Sequence, residues 1–464
     1  MKSLLRLSAF LIGAWAFAAP PGPSALQNTR VLLDEIVTTT TSPRNGSSPM
    51  WSVGAPLVVR ENGRVWTSIS VHDPEALPYC NTHWELWRLT AQEPWSRIRK
   101  GPVASEREPC PLFLPDPGSL ALSIHPKILE RGPQSGGEMA WHCQPALAVF
   151  DPNQPERDTQ LWRPPLDTSS RFTQHSYRSV GVDSVNRSLL LMVIDHNDAY
   201  HAAWRDGAGT WRTTKPPSFP IRACYPNVAI RNRTGHVLAI GDITEPMAAW
   251  KAEKLAVLGR GWDYVFRRLF YSWTSDLSSE AFREPVEIDT VDDTAGWMFN
   301  LDLLIDARGR VHLLWVRRTF DHGFLGDRFF PGRPNVESLM HAVVDQGRLV
   351  ASEPLARRIL PRAAPGDRNF TSGRLHELPD GRLVAILVAP TPSGSTGLFL
   401  QELDPEARAS SPPVLVPLKR PPPPSYFFTN TPRGGSSPDP HIDFLGAEEK
   451  GDTISLRYIQ LLLP

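Results

Sequence analysis

One pattern recurs along this chain and limits what it can fold into. A short apolar run reaches a turn of Asp, Asn or Gly, a second apolar run follows, and an aromatic strand comes later. It reads PLVVRENGRVWTSISV at 56–71, followed by WELWRL at 84–89. It returns as SYRSVGVDSVNRSLLLMVID (176–195), YPNVAIRNRTGHVLAIGD (225–242), NLDLLIDARGRVHLLWVRR (300–318) and GRLHELPDGRLVAILVAP (373–390). A weaker copy, LFLPDPGSLALSIHP, occupies 112–126, and HIDFLGAEEKGDTISLRYIQLL at 441–462 is the last. Apolar runs joined at ENGR, DARGR and PDGR are hairpin signals. Seven such units at a spacing of about 60 residues, each with several strands, indicate a β-propeller. No unit can bury both of its faces alone, whereas stacking against neighbours buries them. The expected fold is all-β, a six- or seven-bladed propeller, with two β-sandwiches as the alternative. One helical insertion is expected at 246–259, where MAAWKAEKLAVL has helical spacing.

Composition agrees. The 464 residues include 47 Pro and 15 Trp. Pro is at about twice its usual share of roughly 5%, and each Pro inside a helix costs about 3 kcal/mol, which excludes a helical bundle. Apolar residues at 41% exclude a disordered chain. The formal net charge is zero, which removes the electrostatic case for nucleic acid. Of the 49 basic residues 41 are Arg. A planar guanidinium suits carboxylates and sulfates.

The first 18 residues read as a signal peptide: Lys2 and Arg6, a short apolar run, then Ala16 and Ala18 before a cleavage point. The expected product is exported, with no membrane anchor after cleavage, and monomeric. Residues 19–49 read as a linker with a partial strand, and 50–464 as one propeller domain. Export would allow disulfides. Cys80 with Cys110 is the favoured pair, and Cys143 with Cys224 is left open. Metal-ligand spacings of Cys and His are absent, so no cofactor is expected, and a structural calcium has no support.

In a propeller the inner strand of each blade lines the axis, so residues at the start of those strands are the candidates for a site. Three clusters qualify. The first holds Gln174, His175, Tyr177 and Arg178: a base, an acid and a charge neutraliser, the parts needed for β-elimination of a uronate. The second holds Asp195, His196, Asp198, Tyr200 and His201, with carboxylates for acid–base work or His with Asp for a cation. The third holds Arg222, Tyr225, Asn227, Asp242, Glu245, Arg267, Arg268 and Tyr271, with an arginine clamp for an anionic group. Assigned to catalysis are His175, Tyr177, Asp195, Asp242 and Tyr271. Assigned to substrate binding are Arg178, His196, Arg222, Tyr225, Asn227, Arg268, Asp302 and Arg433. Lesser candidates are His72, Asp73, Asp321 and His322. Each cluster also has a plain structural explanation as strand edge, polar hairpin or surface strand. Convergence of His175, Tyr177, Arg178, Arg222 and Arg268 on one axial pocket, with Asp195, Asp242 or Asp302 as acid, is the arrangement an enzyme requires.

The segments HSYRSVGVD (175–183), CYPNVAI (224–230), FYSWTSDLSSEAF (270–282) and LLIDARGRVHLLW (303–315) resemble the sialidase-like BNR-repeat superfamily, in particular its BNR-4 type. That type includes ulvan lyases and exo-acting glycosidases, and the chain is also similar to uncharacterised secreted bacterial propellers. The Asp box S-x-D-x-G-x-T-W is echoed only by RDGAGTW (205–211), with a different spacing. The F/Y-R-I-P motif is missing, PIRACYP (220–226) being the nearest text. The arginine triad and nucleophilic tyrosine of sialidases are therefore not carried over. The resemblance implies a propeller acting on an acidic glycan, as glycoside hydrolase or polysaccharide lyase. The alternative is a non-catalytic propeller that binds glycan or protein.

Overall fold

The computed structural model describes residues 24–464, apart from 52, 77–78, 103–105, 129–141, 156, 158, 168, 260–262, 361–370, 392, 405–407 and 425. The leader read at 1–18 lies outside the described residues. Seven four-stranded antiparallel sheets follow one another as the blades of a propeller. Their innermost strands are Val58–Glu61, Leu112–Phe113, Arg178–Asp183, Ala223–Arg231, Trp297–Ile305, Ser372–Glu377 and Phe427–Phe428, in blades 1 to 7. The hairpins foreseen at ENGR, DARGR and PDGR are present. Asn62 and Gly63 both have positive φ, at 50° and 74°, as the tight two-residue turn requires.

The strand Ser188–Ile194 shows why the repeats read as almost unbroken apolar runs. Leu189, Leu191 and Val193 pack with Phe113, Ala121 and Leu147 of blade 2. Leu190, Met192 and Ile194, pointing the other way, pack with Val228 and Val237 of blade 4. Period-two alternation persists, but both faces are interior, so both need apolar residues. Each buried large side chain contributes roughly 1.5–3 kcal/mol. Outer strands such as Val286–Thr290 are half exposed and lose the pattern.

Arg30–Thr41, read in the sequence as linker with a partial strand, is the outer strand of blade 7. It pairs along Thr453–Leu462, from Arg30 opposite Leu462 to Thr41 opposite Thr453. The ring is closed by this pairing. The expected insertion is the helix Ala248–Leu258, ended by Gly259 in the left-handed conformation. Lys254 of the helix donates to Asp263 at 2.6 Å and to Glu245 at 3.5 Å, and Arg267, at the entry to the third strand of blade 4, donates to the same Glu245 at 2.9 Å.

The disulfide expectation is corrected. All four cysteines are buried and none is in a disulfide. Cys110 Sγ accepts from Arg178 at 3.3 Å, and Cys80 Sγ donates to Gln174 Oε1 at 3.4 Å. The two thiols are drawn into different polar contacts. Among the described residues no helix is long and apolar enough to cross a membrane.

Candidate functional site

The strands of each blade alternate in direction, so the entries to the inner strands and the hairpins between second and third strands share one face. Around the axis on this upper face lie Glu108, His175, Tyr177, Tyr225, Arg222 and Asp242.

Glu108 precedes the inner strand of blade 2. Its carboxylate is buried, and Oε1 lies 2.8 Å from His175 Nδ1 while Oε2 accepts from Ser47 at 3.0 Å. Burial alone would raise this carboxyl, but Arg107 and His175 beside it hold it below the usual range. Arg107 is ion-paired to Glu108 and also contacts His175 Nδ1. That nitrogen can donate to Glu108 or accept from Arg107, so both ring tautomers have a partner. With Nδ1–H on Glu108, Nε2 is a bare base. With the proton on Nε2, the ring is a donor. The His175 side chain is 33% exposed, against 3% for Glu108. Proton chemistry is therefore presented to the outside by a residue held from below.

Tyr177 follows, its ring 5.0 Å from His175 and 4.4 Å from Tyr225, with the two hydroxyls 2.9 Å apart. Burial pushes both phenols well above their ordinary value, so both remain proton donors. Tyr225 is aimed at the axis by its backbone. Its φ is +52°, and the pairing register of Cys224–Asn227 with the next strand breaks there. A bulge with an unfavourable dihedral re-aims a side chain and persists only where its surroundings hold it. Here Asn300 Nδ2 donates to the Tyr225 carbonyl at 2.7 Å and to Asn227 Oδ1 at 2.5 Å. Gly54 permits the approach from blade 1, since a Cβ on it would lie 2.0 Å from the Pro226 carbonyl oxygen.

Asp242 and Arg222 close the cluster. They are ion-paired, and Arg222 Nε also donates to Asp198 at 2.8 Å. Burial raises the Asp242 carboxyl against the pull of Arg222. Asp242 is near enough to act electrostatically on His175 and on both tyrosines. Under these groups is a crevice of about 10 Å³ touching Gly54, Glu108, Tyr177, Arg178, Tyr225 and Pro226. It has room for one water-sized group. A larger ligand would lie over His175 on the open face and send in a single substituent.

Arg178 is buried between blades 2 and 3, donating to Glu106 at 3.0 Å and lying 3.1 Å from His125. It touches the same crevice from below, with its charge neutralised by Glu106 in the interior. Other predicted residues are bound into the interior or into their own hairpins. Asp302 and Arg433 are near the axis but sealed. Arg433 Nε and Nη2 donate to Asp302 Oδ1 at 3.2 and 2.9 Å, Arg433 Nη1 donates to the Gly54 carbonyl at 2.9 Å, and Asp302 Oδ2 accepts from the Leu375 N–H. Asn227 is fully buried beneath the Tyr225 bulge. Tyr271 is within blade 4, its hydroxyl 2.7 Å from His236, whose pKa burial pushes down to about 3. Arg268, in the third strand, pairs with Glu287 away from the axis. Asp195 organises its own hairpin, accepting from the Asn197 and Ala199 N–H groups and lying 3.0 Å from His201. His196 is in the same hairpin, exposed. Thus His175, Tyr177, Arg222, Tyr225 and Asp242 come together with Arg178 buried beneath them, while Arg268, Tyr271, Asp195, Asp302 and Arg433 do not join them.

Glu108 and Arg107 were missed. The charged run EREPC before Leu112 is their signal, since it occupies in blade 2 the place that HSYR occupies in blade 3. Among the described residues no group of three or more His, Cys, Asp or Glu is placed to hold a metal ion.

No family model and no curated protein matches the chain. Among solved structures it is similar to an ulvan lyase of polysaccharide lyase family PL25, bound to -[GlcA(1-4)Rha3S]-. Identity is 12% and the TM-score 0.54, covering 92% of this chain and 95% of the lyase. A second structure of a PL25 ulvan lyase gives 13% and 0.52 over the same shares. At this identity the likeness establishes the propeller fold.

Proposed function

We propose that this chain acts on an acidic polysaccharide and cleaves it by β-elimination at a uronate. One observation carries this reading. Glu108 holds a solvent-facing His175 whose ring is 5.0 Å from Tyr177, itself bonded to Tyr225. Elimination needs a base for the proton α to the carboxylate and an acid for the departing oxygen. His175 in the Nδ1–H tautomer is the base at Nε2. The Tyr177 and Tyr225 pair, kept protonated, is the acid. Arg107 and Arg222 flank the cluster and favour the carboxylate as negative charge builds. Hydrolysis is less well supplied, because it requires two available carboxyl groups. Glu108 is consumed by Arg107, His175 and Ser47, and Asp242 is ion-paired to Arg222. The uronate-bearing ligand of the PL25 ulvan lyase, a propeller of the same fold, agrees with this class of substrate. The leader read at 1–18 places the action outside the cytoplasm as part of the same proposal.

The test is incubation with glucuronate–rhamnose and other uronate-containing polysaccharides, recording ultraviolet absorbance from the unsaturated uronate. His175→Ala should reduce the rate by about 10²–10⁴ without loss of fold, and Tyr177→Phe by less, since Tyr225 remains. Reducing ends without absorbance would replace elimination by hydrolysis. Retention of polysaccharide with no product would leave the binding-only role, which the narrow crevice favours.

A further inference from the structure

We infer that the chain carries a second ligand site, for a saccharide, in a cleft on the lower face between blades 3 and 4. The cleft measures about 630 Å³, within the range of small-molecule sites. Its walls are hairpins at the end of the blades opposite to His175. Arg178–Asp183 and Ala223–Arg231 run from the upper face to the lower. At about 3.3 Å per residue these strands separate the two sites by roughly 20–30 Å.

The chemistry of the walls points to a polyhydroxylated ring. Asn186 and Asn232 come from the two inner hairpins; Asn186 Nδ2 donates to Asp183 Oδ2 at 2.7 Å and to Asn232 Oδ1 at 2.9 Å, which leaves the Asn186 side-chain oxygen and the Asn232 amide for a ligand. Asp206 contributes a carboxylate, and Arg212 and Arg233 contribute guanidinium groups that are 56% and 60% exposed even though Arg212 pairs with Asp206 at 3.9 Å and Arg233 with Asp276 at 3.1 Å. Donors and acceptors thus alternate over a short distance, which matches hydroxyl groups that both give and accept. A ligand made only of acceptors would face Asp206 and the amide oxygens without a donor. On the inner wall Trp204 and Ser188 are almost fully buried, so the Trp204 indole senses a ligand in the cleft through ring contact rather than through its N–H. The RDGAGTW run, which the upper site does not use, folds as the hairpin behind this cleft. Gly207 within it passes so near blade 3's inner hairpin that a Cβ would lie 2.4 Å from the Asn186 carbonyl oxygen. None of this depends on elimination at the upper face.

The experiment is saturation-transfer NMR on the whole chain with L-rhamnose, D-glucuronate, D-galactose, L-arabinose and D-xylose as separate probes, and inorganic sulfate as a further arm. In parallel the Trp204 indole N–H resonance is followed, assigned with Trp204→Phe. At least one sugar should give transfer and move the Trp204 resonance. Arg212→Ala and Arg233→Ala, at exposed positions that leave the core intact, should weaken that binding tenfold or more. Tyr177→Phe should leave it unchanged. Absence of transfer from every sugar overturns the inference. So does transfer that survives both arginine variants, or a Trp204 shift with sulfate alone, which would make the cleft an anion site.

Discussion

Two charged groups lie close to the propeller axis, and they have opposite fates. In the Glu108–His175–Tyr177 group one member reaches solvent, and the carboxylate is used to orient it. In the Asp302–Arg433 pair every strong donor and acceptor is satisfied inside, by Leu375, by Gly54 and by each other. Both stand on or beside inner strands, where a site is expected. Position on the axis is therefore insufficient. What separates a reactive group from a structural tie is whether one proton carrier remains turned outward after the interior bonds are made. Arg374 marks the extreme of the sealed kind. It donates to the Leu301 carbonyl and is pushed down to about 10 by burial.

The comparison can be broken most severely at the sealed pair. Asp302→Ala leaves Arg433 buried without its partner and should cost about 3–5 kcal/mol, read as a shift of the urea midpoint. Asp302→Leu with Arg433→Met should recover most of that, because a buried pair contributes little net stability over apolar replacements. If the single variant is as stable as the parent, the pair is not the tie described.

A smaller effect separates two carboxyls of the open group by the sign of their pH dependence. Glu108 has a depressed folded pKa, so its stabilisation is present above the unfolded value of about 4.3 and is lost as pH falls through the folded one. Glu108→Gln should thus be less stable than the parent near neutrality, with the gap closing in acid. Asp242 has a raised pKa, so its ionised form weakens the fold, a cost that appears as pH rises from about 3.9 through the folded value. Asp242→Asn should be as stable or more stable at neutral pH and lose that advantage in acid. Parallel stability–pH curves for the two variants would contradict the assignment. The smallest effect concerns sulfur. Thiol titration in denaturant should find four groups, and reductant should leave the melting temperature unmoved.

The propeller was readable because hairpin turns and two-sided apolar strands leave marks in the sequence, as at Asn62–Gly63 and Ser188–Ile194. Blade 2 was harder, since its inner strand Leu112–Phe113 is two residues long and the charged run before it lacks a strand pattern. Of the site, His175, Tyr177, Arg222, Tyr225 and Asp242 were legible from their place at strand entries or ends. Their selection over Tyr271 and Asp302, and the burial of Arg178 beneath them, were not. That depends on partners distant in the chain: Glu106 for Arg178, His236 for Tyr271, Arg433 for Asp302. The bulge at Tyr225 also leaves no local mark, because Asn300, which holds it, belongs to the next blade.

The pairing of Arg30–Thr41 with Thr453–Leu462 bears on how the molecule is made. On the ribosome Arg30–Thr41 must wait, with its edge unpaired, until more than four hundred further residues have followed. Blades 1 to 6 can form in sequence during that interval, but the circle cannot be locked until synthesis reaches Thr453–Leu462. A chain stopped short of residue 453 would be an open arc with one exposed strand, a natural target for proteases and for pairing with another such arc.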